Sequence, residues 1–74
     1  MKAIEPGRVC IKTAGRSAGK RVVVLSVEGN YALIDGPGLK RKKCNISHLE
    51  PLPQSVKAGK QTNSEEVMEL LKSL

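Results

Sequence analysis

Residues 9–36 read V-C-I-K-T-A-G-R-S-A-G-K-R-V-V-V-L-S-V-E-G-N-Y-A-L-I-D-G, and this stretch constrains the fold more than any other. Short apolar runs, rich in β-branched residues, alternate with glycines. Val, Ile and Leu held between turn residues favour extended chain, whereas Gly15 and Gly19 admit positive φ and close backbone approach. The stretch therefore predicts strand, basic glycine loop, strand, turn, strand. Strand one is expected over residues 8–13, with Val9 and Ile11 on one face and Arg8, Cys10 and Lys12 on the other. Strand two, residues 21–27, contains four consecutive apolar residues from Val22 to Leu25, so both faces should be covered at its middle. Glu28-Gly29-Asn30 turns the chain into strand three, residues 31–35, and completes a hairpin. Tyr31, beside that turn, is read as a packing residue with its hydroxyl at the rim, with base stacking as the alternative.

The loop at residues 14–20 invites comparison with a phosphate loop, because Gly19-Lys20 follows a short strand. Three parts are missing. Ala14 stands where the first Gly is needed, Arg21 replaces the magnesium-holding Ser or Thr, and a β-branched run follows instead of a helix. What remains is a flexed loop presenting Arg16, Lys20 and Arg21 to a polyanion. Beyond the turn Gly36-Pro37-Gly38 comes Lys40-Arg41-Lys42-Lys43. Four successive cations cannot all project from one face of a strand, so the run suits an edge strand or exposed ribbon, where lysine also guards against edge-to-edge pairing. Cys44 and Ile46 resume an apolar alternation. Residues 47–51 read as a tight turn, and Leu52 before Pro53 as the start of a brief last strand.

The 74 residues carry a formal charge of +6, unevenly placed. Residues 1–60 hold 12 of the 13 Lys and Arg against four acids, a balance of +8, while residues 61–74 hold Lys72 against Glu65, Glu66 and Glu69, a balance of −2. A basic body is drawn to polyanions because each neutralised phosphate releases condensed counterions. With neither a basic amphipathic helix nor a long apolar stretch, nucleic acid is a better partner than a membrane. One Tyr and no Trp or Phe leave a small aliphatic core with little room for an enclosed small-molecule pocket. No nucleophile, base and orienter can be assembled from a single His, two distant Cys and scattered carboxylates, so the chain is not read as an enzyme. Cys10 and Cys44 are 34 positions apart with no zinc spacing, and residues 1–7 are too poor in apolar residues for a secretory signal. Both thiols are expected to be free and buried as small hydrophobes in a cytoplasmic protein, and no cofactor or metal is implied.

Residues 54–61 are polar and without periodicity and read as a linker. In residues 62–74 both Thr62-x-x-Glu65 and Asn63-x-x-Glu66 offer a capping box, and Val67, Leu70, Leu71 and Leu74 fall at helical spacing. A helix of about three turns is unstable alone in water. Its apolar side must therefore dock on the strands or on a partner protein.

The spacing Val9, Gly15, Gly19, Val22 to Leu25 and Tyr31 to Gly36 resembles the KOW motif of ribosomal proteins and transcription elongation factors. The stretch L-K-R-K-K-C-N-I-S-H-L-E-P, residues 39–51, resembles one KOW family in particular, the e-type large-subunit ribosomal protein fourteen of archaea and eukaryotes. The resemblance covers residues 4–51, although the family more often has an aliphatic residue where Pro6 stands. It implies a mostly β fold, a small SH3-like, KOW-type five-stranded barrel over residues 1–53; the linker over 54–61 and the one C-terminal α-helix over 62–74, packed on the barrel or a partner, are read from the residues themselves and lie outside the matched region. It also implies a structural constituent of the large ribosomal subunit that binds ribosomal RNA and touches neighbouring ribosomal proteins. Arg8, Lys12, Arg16, Lys20, Arg21, Lys40, Arg41, Lys42, Lys43 and His48 are the candidate RNA-binding residues, with Gly15 and Gly19 as the motif glycines. Without the long Lys- and Ala-rich extension of eukaryotic members, the chain fits an archaeal member better. The alternative is a free KOW-domain translation or transcription factor, expected inside a longer chain. A peptide or methyl-lysine reader needs an aromatic cage that Tyr31 alone cannot build.

Overall fold

The computed structural model describes residues 4–16 and 18–73. Leu74, placed above on the helix's apolar side, lies outside the described residues, as do the first three residues of the N-terminal stretch. In chain order the elements are β1 (Arg8–Lys12), β2 (Arg21–Glu28), β3 (Tyr31–Gly36), β4 (Leu39–Asn45), a 3-10 turn (Ile46–His48), β5 (Leu49–Ser55) and α1 (Ser64–Lys72). The strands form one antiparallel sheet in the order β4-β3-β2-β1-β5. Register shifts interrupt the β1–β5, β2–β3 and β3–β4 pairings. Such irregularities bend strands and increase twist, which lets a short sheet enclose a core on one face.

The apolar run of β2 explains how so small a chain buries what it does. Val22 and Val24 join Cys10, Ala32, Ile34, Cys44 and Leu49 in an inner core, flanked by Ile4, Val27, Leu39 and Ile46. Val23 and Leu25, on the opposite face, join Val9, Val67 and Leu71 in an outer core completed by Leu33, Leu52, Val56 and Ala58. The period of two along a strand sends alternate residues to the two cores, and α1 covers the outer one. In β1 the same alternation places Val9 outward and Cys10 inward, both fully buried, while Ile11 is half-buried.

The last strand is longer than the sequence reading gave it. Residues 49–51 are strand, not turn, and β5 takes in Gln54 and Ser55 from the stretch read as linker. Pro51 and Pro53 are accommodated because β5 is an edge strand, paired to β1 alone, where a missing donor can be spared. The segment that follows is pinned as well. Val56 N–H donates to Gly7 O at 2.7 Å, and Val56 and Ala58 pack into the outer core.

Helix α1 starts at Ser64, later than the sequence reading set it. Of the two capping candidates the structure uses Asn63, whose side chain accepts from Glu66 N–H at 2.8 Å. Thr62 takes a different part: its hydroxyl accepts from Gly59 N–H at 3.0 Å and shapes the approach to the helix. Val67 and Leu71 are buried, whereas Leu70 is only half-buried and Met68 is exposed.

Candidate nucleic-acid interface

The glycine loop is built by backbone bonds at its neck. Lys12 N–H donates to Lys20 O at 3.0 Å, Gly19 N–H donates to Lys12 O at 2.7 Å, and Gly15 and Gly19 adopt φ of 82° and 89°. A non-glycine residue is strained at such angles, so both motif glycines are required by the turn they make. The result is a short, closed loop that holds Arg16, Lys20 and Arg21 exposed. Two neighbours meet it. A Cβ built on Gly38 would sit 3.1 Å from Lys20 Nζ, which places the loop against the β3–β4 turn and the exposed Lys40 just beyond it. Thr13 N–H donates to His48 O at 2.8 Å, which brings the exposed His48 to the base of the same loop.

The basic run forms β4, an edge strand paired only to β3. Ile34 is opposite Lys42 and Leu33 opposite Lys43, so Lys42 shares the inner-core face and Lys43 the outer one. Both are exposed, as is Lys40. The run therefore spreads its charge around an edge rather than concentrating it on one face.

Three of the ten sequence candidates are engaged inside the molecule. Lys12 is 5% exposed, and its ammonium donates to Ala14 O, bracing the loop from beneath. Arg8 donates to Leu52 O and Pro53 O at 3.1 and 3.2 Å and pairs with Glu5 at 3.1 Å, stitching β1 to β5. Arg41 makes the most elaborate set. Its Nε and Nη2 donate to Asp35 Oδ2 at 3.2 and 3.1 Å, and its other bonds reach Lys60 O and Thr62 O. The partner carboxylate, Asp35, is 1% exposed; it also accepts from Ser64 Oγ at 2.7 Å and from Gly36 N–H at 2.8 Å. This Asp35–Arg41–Ser64 cluster ties β3 and β4 to the start of α1. Sequence reasoning missed it, and the available signal was slight: an acidic residue in a strand six positions before an arginine.

Burial pushes the Cys10 thiol up to about 11, outweighing the Arg8 charge, which acts the other way. Cys10 and Cys44 are both free and buried in the inner core. Among the described residues no group of three or more His, Cys, Asp and Glu could hold a metal ion, and no helix is long and apolar enough to cross a membrane.

The fold and its exposed cations define a small basic β module with cations at one end and along one edge, and a short acidic helix on its outer face. The chain is also similar in sequence to known proteins. It is 43% identical over 76 residues to large ribosomal subunit protein eL14 of Desulfurococcus amylolyticus, an alignment covering 96% of this chain and 79% of that protein. It is 50% identical over 68 residues to the eL14 protein of Methanococcus maripaludis, covering 90% and 87%, and 41% identical to that of Sulfolobus acidocaldarius, covering 96% and 79%. The chain belongs to the eL14 family of large ribosomal subunit proteins. No family model matches it.

Proposed function

We propose that the chain is a structural constituent of the large ribosomal subunit, held there by ribosomal RNA along its basic end and edge. The observation that carries this reading is the convergence of Arg16, Lys20 and Arg21 with Lys40 and His48, delivered by loop, turn and strand to one end of the sheet. Exposed cations on short, braced supports neutralise phosphates with little ordering cost. Lys42 and Lys43 extend the surface along β4. Contacts of this kind position a protein on folded RNA through the backbone and read no sequence. Lys12, Arg8 and Arg41 serve indirectly, by fixing the loop, the β1–β5 seam and the start of the helix. The acidic helix, with Glu65, Glu66 and Glu69 exposed, faces away from phosphate and toward neighbouring proteins of the subunit.

Sedimentation of a cell lysate through a sucrose gradient tests the proposal. Co-migration with the large subunit that survives a high-salt wash is the expected result. Release at modest salt, or a position at the top of the gradient, would instead favour a free RNA-binding translation or transcription factor.

A further inference from the structure

A second feature of the surface lies away from the cationic end. Tyr31, the only Phe, Trp or Tyr of the chain, is 52% exposed, although an aromatic ring in so small a protein is the largest contribution a core could receive. It opens a groove of about 200 Å³ lined by Ser26, Glu28, Leu33, Lys43 and Lys60. The register shows how the groove arises. Glu28 is opposite Tyr31, Ser26 opposite Leu33, and Leu33 opposite Lys43, so these side chains share the outer face of three neighbouring strands. Lys60 arrives from the segment before α1 and sets its ammonium 3.4 Å from Glu28 Oε1. The groove is too small for a drug-sized ligand. It holds one aromatic face, an aliphatic floor, two ammonium groups and one carboxylate.

We infer that this groove is a binding site for a single unpaired nucleotide of RNA, with the base stacked on Tyr31 and the flanking phosphates met by Lys43 and Lys60. Each group matches one part of that ligand. An exposed tyrosine is a stacking platform for an unstacked base, as in many single-strand readers. Lysines on the rim neutralise the backbone. Glu28 can accept a hydrogen bond from an exocyclic amino group, a contact that cytosine offers a carboxylate. One aromatic ring cannot cage a methylated lysine, and the two ammonium groups at the rim disfavour a cationic peptide. The site rests on the proposed RNA-binding function and adds to it a place where a base, rather than the backbone, is held.

Two binding measurements separate the site from that broader function. The purified protein is titrated with a short single-stranded oligoribonucleotide, the Tyr31 ring resonances being followed by NMR, where only His48 adds other aromatic side-chain signals. In parallel, its binding to large-subunit ribosomal RNA is measured on filters. The expected result is an upfield shift of the Tyr31 ring protons on binding the oligonucleotide, a roughly fivefold or greater loss of its affinity in Tyr31→Leu, and retention in Tyr31→Phe. Because Tyr31 is exposed, neither variant threatens the core. Oligonucleotide binding with unmoved ring resonances and unaltered Tyr31→Leu affinity would overturn the stacking site and leave the ribosomal RNA reading intact. Ribosomal RNA binding without oligonucleotide binding would do the same. Failure to bind either would overturn both.

Discussion

At the scale of single residues, the most consequential side chain is Asp35, which the sequence presents only as an ordinary strand acid. Its carboxylate is buried and receives Arg41, Ser64 and Gly36. Asp35→Ala removes the shared acceptor and leaves the half-buried Arg41 without its anion, so it is expected to cost about 3 kcal/mol in urea unfolding. Ser64→Ala removes one neutral donor and is expected to cost about 1 kcal/mol by the same measurement. Cys10 carries a pH signature. Its ordinary value of 9.0 is raised to about 11 in the folded chain, so the unfolded state ionises first as pH rises. Stability from this group is therefore intact below about pH 9 and is lost between about 9 and 11, with a shallower decline in Cys10→Ala. Melting temperatures taken across that range check the sign. In the native protein near neutral pH the thiol is also expected to react with a thiol reagent far more slowly than in denaturant.

At the scale of elements, what the sequence revealed followed from local periodicity, and what it concealed depended on distant partners. The unbroken run Val22 to Leu25 announced a strand covered on both faces, and the structure places two cores there. Gly15 and Gly19 announced a turn, and their positive φ angles supply it. The Lys40 to Lys43 run announced an edge strand. By contrast, β5 was shortened in the reading because Pro51 and Pro53 look like breakers until β5 is seen to be an edge strand that pairs with β1 alone. Arg41 was grouped with its neighbours in the basic run because nothing local shows that Asp35, Lys60 and Thr62 will engage it. The helix was legible in its N-terminal signal and half legible in its face: Val67 and Leu71 are the anchors, while Leu70 is half-buried. Leu71→Ala is accordingly expected to cost about 3 kcal/mol and Asn63→Ala about 1 kcal/mol, both readable as shifts in chemical denaturation midpoint.

At the scale of the whole molecule, the charge distribution sets the expected response to salt. Lys40, Lys42 and Lys43 are the exposed members of the β4 run, and changing all three to Ala leaves the Asp35–Arg41 cluster untouched. If all three meet phosphates, the log-log salt slope for ribosomal RNA binding should fall by roughly 2 to 3 units, taking the duplex DNA coefficient as a guide. An unchanged slope would move the interface off this edge and leave the glycine loop to carry it. The two cores on opposite faces of one sheet also bear on how the chain is made. Translation releases β1 to β5 before α1, so the outer apolar surface of Val9, Val23, Leu25 and Leu33 is complete in the nascent polypeptide before Val67 and Leu71 exist to cover it. Ser64, which bonds the buried Asp35 carboxylate, emerges equally late. Until then the emerging strands carry a sticky patch and an incompletely satisfied acid, a stage at which shielding by a chaperone would have the most effect.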